Sequence, residues 1–399
     1  MESPTEPIRV RISRSETCIL LTTADDSIEI WTDHWRDANT VRSDFAAWLF
    51  LPVAMRTGRA LHVEGEGSEE TIRNAMRISE SWESWMPRHF NIVDVSFDAP
   101  SHGGPGETGG KRSLCLYSGG IDSTHALLSR HRQGEAQTLL TVHGMDYRLE
   151  DEQKFCALKG KIAPFSQLVA DGHIFIRTNA YATYRKYKVN LPDAPHVSHI
   201  FALAGCAFLF SEKYENVFIA SDCRLDQQFR TPPWGSNSVT NAYFDDGCTR
   251  LGTLDDHLTR TEKMPLLLTS KEALSSVSFC NNYRMRPDNC GRCEKCMRTK
   301  LMFFVACGTV PEIFSDMSIP SDWHRGFDIE IEYQRVMLLD ILTCAKRTSR
   351  FSQVPNAQAL YSALKSPVAR ETARKNGGRK RMRQRALKVL TDLKKKFSR

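Results

Sequence analysis

The run SLCLYSGGIDSTHALLSRHR, residues 113–132, decides the fold. Ser113 to Tyr117 reads as an apolar strand, and Ser123 to Arg132 reads as a helix. Between them Ser118-Gly119-Gly120-Ile121-Asp122-Ser123 turns one into the other. Gly119 and Gly120 bring no Cβ, so the backbone N–H groups of Gly119, Gly120, Ile121 and Asp122 can close on an oxyanion at the positive end of the next helix. Ser118 and Ser123 add hydroxyl donors. Asp122 can hold Mg²⁺ beside phosphates or cap the helix, and its position in the sequence does not separate the two. The loop is not a Walker A cradle, because no Gly-Lys-Ser/Thr follows it. A turn that uses glycine for geometry alone is the simpler alternative, but the flanking strand and helix favour a nucleotide cradle.

Working outward, strands expected at Gln137 to Val142, His173 to Arg177 and Asn216 to Ala220 alternate with helical stretches at Glu150 to Val169 and Val197 to Lys213. That rhythm predicts an α/β unit with a parallel sheet, crossover helices, and ligands at the C-terminal ends of the strands. Upstream, Arg9 to Arg14, Thr17 to Thr23 and Ser27 to Thr32 alternate like an antiparallel meander. A helix at Asp44 to Thr57, a strand at Ala60 to Glu64, a helix from Ser68 to Trp85 and a strand at Asn91 to Phe97 complete a small α+β domain. Ser68 is the expected N-cap, with Glu69 and Glu70 in the first turn. Ala99 to Gly110 holds five glycines and two prolines without periodicity, which predicts a flexible linker. The expected division is therefore 1–98 (α+β), 99–110 (linker), 111–310 (nucleotide domain) and 311–399 (helical, with a basic tail).

Charge is unevenly spread. Arg370 to Arg399 holds thirteen Lys and Arg against Glu371 and Asp392, a local +11 in a chain of net +7, so the remainder is mildly acidic. Met382, Ala386, Val389, Leu390, Leu393 and Phe397 share one stripe of that tail, an amphipathic basic helix suited equally to nucleic acid or another anionic surface and to the protein's own acidic body. The first thirty residues lack a basic-then-apolar leader, and no run reaches a membrane span, which leads us to expect a cytoplasmic protein. Most of the twelve cysteines are scattered through apolar stretches, as reduced thiols are.

Four are not scattered. Cys280 is followed by Cys290, Cys293 and Cys296, the last three two residues apart in C-GR-C-EK-C. Such spacing brings soft thiolates to one point and suits a closed tetrahedral Zn²⁺ site of structural role. An iron–sulfur cluster has the same ligand chemistry and stays open as an alternative. Arg292, Lys295 and Arg298 would offset thiolate charge.

The SGGIDS loop resembles that of the PP-loop ATP pyrophosphatases, and its combination with the four cysteines is similar to the 7-cyano-7-deazaguanine synthases of queuosine biosynthesis. The likeness spans about Lys111 to Gly308. It implies an α/β fold of the adenine-nucleotide alpha-hydrolase kind. It also implies that ATP is split into AMP and pyrophosphate to activate a carboxylate or amide, with Mg²⁺ beside the phosphates and an amide or nitrile as product. The segment Thr259 to Lys263 (TRTEK) resembles the family's basic segment, which would make Lys263 catalytic together with Asp122. The chain departs from the family at His143-Gly144-Met145-Asp146 and Ser198-His199, near the implied acceptor. The added N-terminal unit and tail are similar to synthase-like ligases of anti-phage defence systems. Alternatives are a tRNA-thiolating PP-loop enzyme, with Cys223 or Cys248 carrying sulfur, and a zinc-bearing adaptor with a vestigial loop. Ser221 and Asp222 stand just past a strand end, Asp222 as a ribose or metal contact or as a turn residue. His196, His199 and His257 lack ligand spacing and read as surface or satisfied core histidines. Trp31, Trp35, Trp48, Trp82 and Trp85 read as N-terminal core, with Trp82 and Trp85 as a possible stacking surface.

Overall fold

Strand Ser113–Leu116 is buried at all four positions, which requires cover on both faces. The computed structural model describes residues 6–34, 42–101 and 113–365, apart from Asp193, Pro195 and Pro232. Trp35, most of the expected linker and the basic tail lie outside the described residues. Ten strands form one mixed, mostly parallel sheet: β1 (Ile8–Arg14), β2 (Cys18–Thr22), β3 (Ser27–Thr32), β4 (Leu61–Ser68), β5 (Val95–Ser101), β6 (Ser113–Leu116), β7 (Gln137–His143), β8 (Gly172–Thr178), β9 (Asn216–Ala220) and β10 (Arg250–Leu254). Their spatial order is β10-β9-β6-β7-β8-β3-β2-β1-β4-β5. Helices α1 (Asp44–Thr57), α2 (Glu69–Trp85), α3 (Ile121–Arg132), α4 (Glu152–Val169), α5 (Ala180–Lys186) and α6 (His199–Phe208) pack around it, and further helices follow.

From β6 the chain steps to β7 and β8 on one side, then crosses back to β9 on the other, with all these pairs parallel. The loop after β6 therefore opens at a topological switch point, where an open α/β sheet leaves a crevice. β1, β2 and β3 form the expected antiparallel meander. Its last strand continues into the parallel part of the sheet: β3 pairs antiparallel with β8, Trp31 opposite Arg177. The two regions also share one hydrophobic core, in which Trp48 meets Phe208 and Phe244 edge-on.

Several boundaries differ from expectation. Ala99, Pro100 and Ser101, placed in the linker by composition, extend β5 along Glu66 to Ser68. Proline is tolerated there because β5 is an edge strand. The stretch Val197 to Lys213 is helical only from His199 to Phe208. Ser68 caps α2 as expected, accepting from the Thr71 N–H at 2.9 Å. All twelve cysteines are free of disulfides. No helix among the described residues is long and apolar enough to cross a membrane.

Candidate functional site

Gly119 has φ +73, a conformation that glycine adopts without strain, and Gly120 is the N-cap of α3. The loop is tightened by Ser118 Oγ, which accepts from Gly120 N–H at 3.3 Å, and by Ser123 Oγ, which donates to Gly120 O at 3.2 Å. A distant segment also grips it, since Ser278 N–H donates to Gly119 O at 2.7 Å. Asp122 lies within the first turn of α3, and its side chain does not cap that helix.

Asp122 is instead a hub for two cations, one buried and one partly buried. Lys263 is fully buried, and its Nζ donates to Asp122 Oδ1 at 3.1 Å and to the Ser221 carbonyl at 2.5 Å. Arg260 forks onto both carboxylate oxygens, with Nε 3.2 Å from Oδ1 and Nη2 2.5 Å from Oδ2. Its Nη1 donates to Tyr333 Oη at 3.2 Å. Burial pushes the Asp122 carboxyl up, but the Arg260 and Lys263 charges outweigh this and hold it well below the usual carboxylate range. Asp222 stands 3.9 Å from Arg260 Nη2, and burial raises its carboxyl against that attraction. Sequence reasoning assigned Arg260 no role, although it sits within the TRTEK segment. Alternate charged residues in such a segment give no periodicity that marks one as buried. Lys263 itself closes a 3-10 turn, Thr261–Lys263, and is the N-cap of the short helix Met264–Leu267 that follows.

A cavity of about 150 Å³ opens over the loop. Ser118, Gly120 and Asp122 line one wall, while Arg260, Arg286, Lys295 and Arg298 bring four cationic side chains against Asp122 and Asp146. A second cavity, about 450 Å³, is walled by Trp85, Phe229 and Trp234 and also lined by Asp222 and Tyr333, both of which reach Arg260 of the first. Trp85 thus opens on a cavity, whereas Trp82 is fully buried beside it.

The cysteines converge as their spacing implied. The sulfurs of Cys280, Cys290, Cys293 and Cys296 all lie within 4.8 Å of one another. The Cys280–Cys293 and Cys290–Cys296 pairs are 3.8 and 3.9 Å apart. A tetrahedron with Zn–S bonds of about 2.3 Å has edges of about 3.8 Å, so the cluster is compatible with Zn²⁺. Backbone N–H groups already point at the sulfurs, from Asn282 to Cys280 at 3.3 Å and from Cys293 to Cys290 at 3.3 Å. Hydrogen bonding with Cys296 holds the Cys293 thiol below its ordinary value against the effect of burial. Asn289 staples the two cysteine segments, accepting from Phe279 N–H and donating to the Val277 and Ile313 carbonyls. Gly291, φ +76, fits only without a Cβ, which would fall 2.0 Å from Asp316 O.

The remaining candidates separate. His199 bonds the His196 carbonyl and Ser236, and burial lowers it to about 4. His196 packs its ring against Trp234, and His257 is exposed. Cys223 is buried and its thiol is pushed well above the ordinary value by desolvation, while Cys248 accepts from Arg42. No protein-family model matches this chain, and no similar curated protein or solved structure was found.

Proposed function

We propose that this chain is an ATP pyrophosphatase of the PP-loop type, similar to 7-cyano-7-deazaguanine synthase, which activates a carboxylate or amide as an adenylate. One observation carries the reading: buried Lys263 and partly buried Arg260 converge through Asp122 on the Ser118–Ser123 loop at the switch point of the sheet. A structural turn has no need of two desolvated cations, whereas a polyphosphate site does.

In this reading the loop amides and the cations hold the β and γ phosphates as a departing unit. The acceptor oxygen bonds to the α-phosphorus, the bridge to the β-phosphate breaks, and pyrophosphate leaves. Ammonia or an amine then displaces AMP to give the amide. Positioning and charge neutralisation are most of what such a transfer requires. Asp122 and Asp222 would hold Mg²⁺, which when bound would supply further neutralisation of phosphate charge. Cys280, Cys290, Cys293 and Cys296 would close the shell of Zn²⁺, whose role is then structural. The aromatic cavity across Asp222 has the walls to stack a planar heterocycle, which makes 7-carboxy-7-deazaguanine with ammonia the first acceptor to supply.

The test is product analysis with radiolabelled ATP. AMP and pyrophosphate are expected, with the rate falling about 10²–10³-fold in Lys263→Ala, the scale of one charge-stabilising group. Release of ADP and phosphate that Asp122→Ala abolishes would overturn the reaction class.

A further inference from the structure

The helix Glu294–Cys307 joins the two constellations. Cys293 is its N-cap and Cys296 lies in its first turn, so the four-sulfur cluster fixes where the helix begins. Lys295, Arg298 and Thr299, at i, i+3 and i+4, share another face of the same turns, and all three line the cavity over the Ser118–Ser123 loop. Arg298 is 1% exposed, and its Nε and Nη1 have no hydrogen-bond partner among the described residues. Glu294 Oε1 stands 3.0 Å from Nη1 without hydrogen-bond geometry, and the guanidinium also lies over the Tyr333 ring at 5.3 Å. Lys295 is half-buried, and its Nζ makes no hydrogen bond among the described residues. A buried guanidinium with donors unspent costs stability unless something fills them.

We infer that Lys295 and Arg298 form the far wall of a polyphosphate site, opposite the Ser118–Ser123 loop, and that the four-cysteine centre is the device that holds this wall in place. The cysteines are then positioning residues, while Lys295 and Arg298 contact the anion. This deepens the nucleotide reading, resting on it only in taking the cavity's ligand to be a polyphosphate.

Inorganic pyrophosphate is the probe, titrated calorimetrically into full-length protein of measured zinc content. Lys295→Met and Arg298→Met are each expected to weaken pyrophosphate binding at least tenfold while retaining the metal, with Arg298→Lys recovering part of the loss. If Arg298→Met fails to fold, Lys295→Met decides alone, because no hydrogen bond is lost with it. Parent-like pyrophosphate affinity in folded, metal-loaded Lys295→Met overturns the inference. The two failures are distinguishable. ATP cut to ADP sinks the reaction class and leaves a Lys295-dependent pyrophosphate site standing, whereas AMP formation with Lys295-independent binding sinks this wall alone.

Discussion

Asp122 lies among more positive charge than it can neutralise, and this dictates how its replacement behaves. Two cations, one of them wholly buried, lean on one carboxylate. Removing one partner of such a cluster leaves charge uncompensated, a cost of about 3–5 kcal/mol. Because the folded carboxyl is held below its unfolded value of about 3.9, its contribution is complete above that pH and is lost as pH falls toward the folded value. Denaturant melts of the parent and Asp122→Asn should therefore differ most from pH 5 to 7, and the gap should narrow steadily below pH 4. A gap unchanged down to pH 3 would show that the carboxylate contributes nothing as a charge. The same crowding explains why the site was half legible in the sequence. Ser118, Gly119, Gly120 and Asp122 announce themselves by adjacency, whereas Arg260 and Arg298 come from segments more than a hundred residues away and are buried by contacts that no local pattern encodes.

At the scale of elements, what could be read was what local chemistry determines. β3 and α1 fall where alternation and helical spacing put them, and Ser68 caps α2 because its hydroxyl has a free N–H to accept from. What could not be read was set by pairing partners. Ala99 to Ser101 become strand only because β4 offers Glu66 to Ser68, and β10 exists because β9 has an open edge. The cysteine helix lies between these cases, since its metal spacing is local while the cavity it serves is not. Its four thiolates are compatible with one zinc, and a bound metal would be coupled to folding. Elemental analysis should find about one zinc per chain in the parent and nearly none in Cys293→Ser, with a lower melting temperature in that variant. Iron with visible absorption in anaerobically purified protein would replace zinc by a cluster.

At the scale of the molecule, the meander and the parallel part of the sheet are continuous. β3 hydrogen-bonds to β8, the hydroxyl of Tyr184 on α5 donates to the Leu49 carbonyl of α1 at 2.9 Å, and Gly205 of α6 lets Leu49 come so near that a Cβ there would sit 2.3 Å from its Cγ. Buried residues from both regions belong to one core, so neither can unfold without exposing apolar surface of the other, at roughly 25 cal/mol per Å². Composition around the glycine-rich segment suggests two separately folding units. The pairing argues for one cooperative unit. Scanning calorimetry should accordingly give a single transition with matching calorimetric and van't Hoff enthalpies. Gly205→Val, which drives a methyl into Leu49, should shift that whole transition downward rather than split it. Two resolved peaks in the parent, only one of them moved by Gly205→Val, would show that the shared sheet is a junction between units that fold alone.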